Sequence, residues 1–266
     1  MAIHSFSVGK IRCVVVPDGG SIMPLADLAG IFPPDPDVQA GILALPDTQG
    51  FSMNCLLIES DGQLILLDTG LGTLNPAHSP ALIANLREAG AAPEAIDIVV
   101  ITHGHGDHMG GGVDDAGNLS FPNARYMMTR LDWDHWTGPA VNPAAERCLS
   151  PLREFITLIE PDDLIAPGVR ALPALGHTPG HIGVVIESQG EKLMDVVDAM
   201  HHPLQVAHPT WSPRFDTDPV KSAETRRALL EQAAAESCRL MTYHFAFPGL
   251  GTVRAKGDSF TFDAVS

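Results

Sequence analysis

Apolar positions along this chain fall mostly into short runs of strand length, and only a few stretches carry the 3.6-residue spacing of a helix. "KIRCVVVPDG" reads as a strand ending in a turn. "SMNCLLIES-DG-QLILLDTG" reads as two strands joined by Asp61-Gly62, residues that tolerate the positive φ of a tight hairpin. Ser79 and Pro80 look like the N-cap and first residue of a helix with Leu82, Ile83 and Leu86 inside and Gly90 as its stop. "IDIVVIT" is a short buried strand. The second half continues with strands in "ARYMMT", "GVRALPAL", "HIGVVIES", "EKLMDVVD" and "RLMTYH". Asp218-Pro219 open a long helix with Val220, Ala223, Leu230 and Ala234 near one face, and "GTVRAKGDSFTF" closes the chain as a hairpin. Alternating strands and helices, with no repeat and no linker, predict an α/β fold in a single domain over residues 1–266. The one long stretch without periodicity is 17–50. Its Ile31, Phe32, Leu43 and Leu45 are too apolar for a disordered segment, so a lid loop over a substrate pocket is expected there.

Composition narrows the classes. No apolar run approaches the ~20 residues that span a bilayer, and "MAIHSFSVGKIRC" has no basic-then-apolar leader pattern. Four scattered cysteines (Cys13, Cys55, Cys148, Cys238) form no CxxC pair, which suits a reduced, cytoplasmic chain. A net charge of -16 speaks against nucleic acid as a partner, since that contact rests on Lys and Arg neutralising phosphates.

The chemistry gathers directly after "IDIVVIT", in "THGHGDHMGG". His103 and His105 flank a glycine, so both imidazoles can turn toward one point, and Asp107 and His108 can serve a second point beside it. Imidazole nitrogen and carboxylate oxygen are what zinc and similar divalent ions bind, and the glycines leave room for them. A solvated polar turn is the bland alternative. Three further candidates follow in order, each after an apolar strand: His177 in "ALGHTPGH", Asp198 in "LMDVVD" and His244 after "RLMTY". Asp195 competes with Asp198 for that position and is expected to face solvent or a loop. His4, His78, His135 and His208 show no ligand pattern.

"THGHGDHMGG", "GHTPGH", an Asp after an apolar strand and a late His together resemble the metallo-β-lactamase-fold hydrolases. The resemblance implies a four-layer αβ/βα sandwich with two metals in a cleft at one edge. It implies that His103, His105 and His177 bind one ion, that Asp107, His108 and His244 bind the other, and that Asp198 bridges. "LLDTG" at 66–70 resembles the family's early strand, which makes Asp68 a support for the ligands, and His181 is read as structural. Two divalent ions, zinc foremost with manganese, cobalt or iron as alternatives, would make hydroxide available at neutral pH. Asp107 and Asp198 would act in catalysis, with Asp198 carrying a proton to the leaving group.

Within the family, the absence of a Cys or Ser at the bridging position weighs against the β-lactamases. The full ligand set weighs against the single-iron dioxygenases, and the missing extra regions against glyoxalase II and the nucleic-acid-processing members. The tail "MTYHFAFPGLGTVRAKGDSFTF" is similar to that of the methyl parathion hydrolase group. A small, neutral, partly hydrophobic lactone or aryl ester is therefore the expected substrate, a phosphotriester the alternative, and a non-hydrolytic metal or redox protein the third reading. Relatives suggest a homodimer. In the acyl-homoserine lactonases a Tyr three residues after the bridging Asp contacts the substrate carbonyl. Here His201 holds that place, with His202 next, and each is either a hydrogen-bond donor to substrate or a supporting residue. Trp133, Trp136, Trp211, Phe215, Phe245 and Phe247 are candidate rim aromatics; Phe32, Trp136, His202 and Phe245 are expected in the pocket itself.

Overall fold

Asp61 and Gly62 both take positive φ (50° and 78°), and the tight turn they make pairs Thr48–Ser60 with Gln63–Leu67 in the register Ser60 to Gln63. That hairpin lies in the first of two seven-stranded sheets seen in the computed structural model, which describes residues 3–46, 48–138 and 142–265. The first sheet runs β1 (His4–Val8), β2 (Ile11–Pro24), β3 (Thr48–Ser60), β4 (Gln63–Leu67), β5 (Ile98–Val100), β6 (Arg125–Thr129) and β7 (Ile156–Ile159) in spatial order. It is antiparallel up to β4 and parallel from β4 to β7. The second comprises β8 (Leu164–Ala166), β9 (Val169–Pro173), β10 (Ile182–Ser188), β11 (Glu191–Asp195), β12 (Arg239–Met241), β13 (Leu250–Lys256) and β14 (Ser259–Ala264), again in sequence order. Only its β11–β12 pair is parallel.

The sheets share one core, in which Val14, Leu56, Ile58, Ile65 and Val99 belong to the same cluster as Val184, Ile186, Leu193 and Met241. Helices flank them: α1 (Leu25–Ile31), α2 (Pro36–Leu43), α3 (Leu82–Glu88), α4 (Gly106–Met109), α5 (Arg130–Thr137), α6 (Pro143–Leu149), α7 (Leu204–Ala207) and α8 (Pro219–Glu236). The expected four-layer arrangement of two mixed sheets with helices outside is what forms. Among the described residues no helix is long and apolar enough to cross a membrane.

Four local expectations need correction. The stretch 17–50 is not a loop. β2 continues to Pro24, β3 begins at Thr48, and α1 and α2 sit between them, with Asp47 outside the described residues. Leu28, Phe32, Val38 and Ile42 give these helices a small core of their own, packed on Leu204 and Trp211. Second, β11 ends at Asp195, and Asp198 lies in a 3₁₀ turn (Val197–Ala199) beyond it. Third, Val220 is exposed on α8, whose buried face is Ser222, Arg226, Leu229, Leu230 and Ala233. The guanidinium of Arg226 finds hydrogen-bond partners inside, so a charged residue lies on the inner face and the apolar spacing misplaces it.

Fourth, Ser79 does not cap α3. The β2–β3 register shifts between Pro17 and Gly19, and the intervening Asp18 is buried. Its Oδ1 accepts the backbone N–H groups of Ala81 and Leu82 (both 3.0 Å), and its Oδ2 accepts that of Leu71 (2.9 Å). His78 Nε2 lies 3.0 Å from the same Oδ2. A bulge residue thus supplies the cap that local sequence does not. Asp18→Ala strands several buried donors and is expected to lower unfolding stability by about 3 kcal/mol, whereas Ser79→Ala changes it by less than about 0.5 kcal/mol. Urea unfolding of both variants checks this, and a reversed order would contradict the assignment.

Candidate metal centre

The reactive side chains sit at strand ends. Asp68 follows β4 in the left-handed region (φ 63°) and accepts from Thr102 N (2.8 Å) and Thr102 Oγ1 (2.9 Å), with His108 Nδ1 at 2.8 Å. One buried carboxylate therefore fixes both ends of the segment that follows β5. His103, His105, Asp107 and His108 come from that segment, His177 from the β9–β10 connection, Asp198 from the turn after β11, and His244 from just after β12.

Four of the five rings engage their outer nitrogen. His103 Nδ1 meets Thr102 Oγ1 (3.1 Å), His108 Nδ1 meets Asp68, His177 Nδ1 meets Asp216 Oδ1 (2.9 Å), and His244 Nδ1 meets the Ser52 carbonyl (3.0 Å). An Nδ1–H spent outward leaves a bare Nε2 pointing inward. His105 presents Nδ1 to the same space, 2.9 Å from Nε2 of both His103 and His177. Asp198 Oδ2 stands at the centre, 3.7 Å from His103 Nε2, 3.3 Å from His177 Nε2, 3.3 Å from His108 Nε2 and 3.4 Å from His244 Nε2. Asp107 Oδ2 lies 3.3 Å from His244 Nε2. Donor atoms of His103, His105, His177 and Asp198 all lie within 4.8 Å of one another, as do those of Asp107, His108 and His244. The Oδ1 of Asp198 is buried with no hydrogen-bond partner among the described residues. Convergent lone pairs of this kind repel one another unless cations sit among them, so the donor set fits two divalent ions.

A model of the metallo-beta-lactamase superfamily matches residues 49–235. The chain belongs to the metallo-beta-lactamase superfamily.

Similar members of the superfamily include an N-acyl homoserine lactonase of Bacillus cereus, 26% identical over 159 residues, which are 53% of this chain and 60% of that protein. The chain thus spans about three fifths of that relative's length. Among solved structures, AidC, described as a dizinc quorum-quenching lactonase and solved with a product, matches at TM-score 0.86 and 26% identity, covering 100% of this chain and 98% of the other. The hydrolase AbOPH shares the fold at TM-score 0.89 and 23% identity, covering 100% and 98%.

This superfamily member surrounds its cluster with carboxylates that divide the imidazoles into two kinds. Burial and the neighbouring imidazoles hold His103 well below the ordinary histidine range, and burial takes His105 down to about 3. For His244 burial acts downward too, but Asp198 and Asp107 outweigh it and lift the group to about 9. His108 is raised the same way by Asp198, Asp107 and Asp68. His181 donates to or accepts from its surroundings at both nitrogens, with Nδ1 2.8 Å from the Ala174 carbonyl and Nε2 3.4 Å from the Asp198 N–H, so it supports the turn that carries Asp198. Asp195, expected toward solvent, is buried instead; its Oδ1 accepts the Val197 N–H, because the 3₁₀ turn folds back over the strand end.

A cavity of about 310 Å³ opens on the cluster, lined by Asp107, Asp198, His201, His244, Ile31, Phe51 and Phe215. His201 Nε2 is 3.1 Å from Asp198 Oδ2, and burial holds this imidazole down to about 4. The four residues expected in the pocket lie elsewhere. Phe32 is buried in the α1–α2 core, Phe245 packs on Phe262 beneath the second sheet, Trp136 stands behind His105, and His202 Nε2 turns toward Gln49 (3.4 Å). The three aromatics are taken up by apolar neighbours, and His202 by a polar one, before they reach the cavity. Trp211 stacks on His208 and Trp133 is core, whereas Phe215 does reach the pocket. Phe51 and Asp216 were not legible beforehand. Phe51 stacks on His244 at 4.4 Å, a contact between residues far apart in sequence, and "PRFDTD" has no ligand-supporting pattern.

Burial raises the Asp195 carboxyl to about 7. In the unfolded chain it ionises near ~3.9, so between those values the folded state holds the extra proton and stability falls as pH rises. Asp195→Asn is therefore expected to be progressively more stable than wild type from pH 5 to pH 8 in metal-free protein. Thermal unfolding across that range checks it; a difference independent of pH would contradict the assignment.

Proposed function

We propose that this protein is a hydrolase of neutral lactones and aryl or alkyl esters, working with two divalent ions, zinc foremost. The observation that carries the reading is the cavity itself: it reaches His105, Asp107, Asp198, His201 and His244, its apolar walls are Ile31, Phe51 and Phe215, and among the described residues no Lys or Arg lines it. Apart from the ions themselves, such walls offer no countercharge to a free carboxylate or phosphate monoester, whereas a compact apolar ester replaces water there at little cost. Likeness to lactonases in sequence and in full-length fold supports the same choice.

In this reading His103, His105 and His177 would hold one ion and Asp107, His108 and His244 the other, with Asp198 within reach of both groups. Divalent ions held there would supply Lewis acidity toward a carbonyl oxygen and a lowered pKa of water. The protein's own groups do the rest. Asp68, His181 and the outer hydrogen bonds fix the donors before substrate arrives, which removes reorganisation from the reaction. Phe51, held flat against His244, and Phe215, edge-on to His201, supply apolar walls that orient the ring or acyl group. His201, buried and uncharged, offers an N–H either to Asp198 Oδ2 or to a substrate oxygen, and Asp198, which the surrounding imidazoles keep ionised against the cost of burial, is placed to take a proton from the attacking water and pass it to the leaving oxygen. The α1–α2 segment acts as the lid, since Ile31 at the end of α1 lines the cavity. A phosphotriester is the second reading: it is also neutral, and "FPGLG" follows His244 after two residues of the tail that resembles the methyl parathion hydrolase group.

Initial rates on an aryl lactone, a long-chain homoserine lactone, a methyl phosphotriester and a cephalosporin test the choice. Lactone opening is expected to be fastest. Phosphotriester cleavage with negligible lactone turnover would install the second reading, and silence on all four would remove both. Chelation is expected to abolish activity, and His105→Ala or Asp198→Asn to cost more than the ~100-fold that loss of a supporting residue brings. Phe215→Ala is expected to raise KM for the aryl lactone about 10-fold with a smaller change in kcat. Full rates from metal-free protein would refute the mechanism.

A further inference from the structure

Arg226 is the largest fully buried side chain in the molecule, on a helix that otherwise packs Leu229, Leu230 and Ala233 against the outer face of the second sheet. A buried guanidinium costs several kcal/mol unless its donors are met. Here they are met from one direction. Nε donates to the Ala199 carbonyl (2.6 Å), Nη1 to the Pro209 carbonyl (2.6 Å), and Nη2 to Asp216 Oδ2 (3.3 Å) and Ser222 Oγ (3.0 Å). Three of these four acceptors belong to residues 199–216, the segment that begins beside Asp198 and ends on the carboxylate behind His177.

The far end of that segment is tied down as well. Asp216 Oδ1 holds His177 Nδ1 at 2.9 Å, and the backbone bonds from Thr217 N to the His177 carbonyl and from Asp218 N to the Gly176 carbonyl (both 2.9 Å) lay the two stretches side by side. His177 and Asp198 come from separate loops, yet both are referred to one buried cation, through Asp216 on one side and the Ala199 carbonyl on the other. His244 is oriented by a backbone carbonyl; His177, by contrast, has a full carboxylate, which makes its inward nitrogen a stronger donor.

We infer that Asp216 and Arg226 are positioning residues for the metal centre: Asp216 sets the tautomer and ring plane of His177, and Arg226 fixes His177 and Asp198 relative to each other. The inference rests on the metal-centre reading above. The test is chelator competition for Zn(II) and Co(II) on the full chain, with the visible absorption of the Co(II) form, for Asp216→Ala, Asp216→Asn, Arg226→Met and Arg226→Lys. Asp216→Ala is expected to weaken binding by about 10–100-fold and to alter the Co(II) band, since His177 would lose its fixed plane. Asp216→Asn, which keeps an acceptor, falls between it and wild type, and Arg226→Lys recovers part of what Arg226→Met loses. Folded Asp216→Ala protein with wild-type affinity and an unchanged Co(II) spectrum would overturn the inference, and this variant decides the matter even if Arg226→Met does not fold. Wild-type protein that binds neither ion would overturn the metal-centre reading and the inference together, whereas sound wild-type binding with unaltered variants overturns the inference alone.

Discussion

Five imidazoles approach a single carboxylate oxygen, Asp198 Oδ2, within 3.7 Å, and most of the surrounding structure can be understood as what holds them there. Lone pairs aimed at a common point repel, and rings free to rotate would turn away. Four of the five are kept in place from behind. Asp68, Asp216, Thr102 and the Ser52 carbonyl each take the outward nitrogen of one ring; Ser52 lies in β3, Asp68 and Thr102 follow strands β4 and β5, and Asp216 stands in the stretch that leads into α8. Rigid supports convert a repulsive collection into a preorganised donor set.

The same constraint explains where polar groups are tolerated inside. Asp68, Asp195, Asp216 and Arg226 are all buried, and each has hydrogen-bond partners in backbone or in a neighbouring side chain. Asp68 and Asp216 each stand directly behind one reactive imidazole, while the core shared by the two sheets is mainly apolar, aliphatic with a few aromatics such as Phe121, Tyr126 and Tyr243. The division places a stiff polar shell against the cleft and leaves cohesion to apolar packing. Away from the reactive side chains the cleft meets Ile31, Phe51 and Phe215, and among the described residues no Lys or Arg lines it, so the charge in the site is concentrated in the cluster itself.

The comparison of residues with their surroundings shows where pattern reading succeeds. Most of the longer strands, the Asp61-Gly62 turn, Gly90 as the stop of α3, and the Asp218-Pro219 start of α8 were legible because each depends on a few neighbouring residues, whereas β1, β7 and β8 were not expected. The extra secondary structure in 17–50 was not, because α1 and α2 are short and are held by packing on Leu204 and Trp211, far along the chain. The cap of α3 was misassigned for a similar reason: a suitable Ser-Pro pair stood close by, but the carboxylate that does the capping comes from a bulge 63 residues earlier.

By itself, then, the sequence determined the α/β class, the family, and the side chains that converge at the cleft, since ligand atoms are displayed on short loops directly after apolar strands and their spacing is written in consecutive residues. Tertiary structure alone decided which aromatics face the cavity, that Asp195 turns inward, and that Asp216 and Arg226 stand behind His177. Those outcomes depend on which distant surfaces compete for a side chain: Phe245 is taken up by Phe262, Trp136 by His105, and Phe51 is left to stack on His244. Burial and pairing between remote segments are fixed only when both sheets have closed on one another, and no local pattern records that competition.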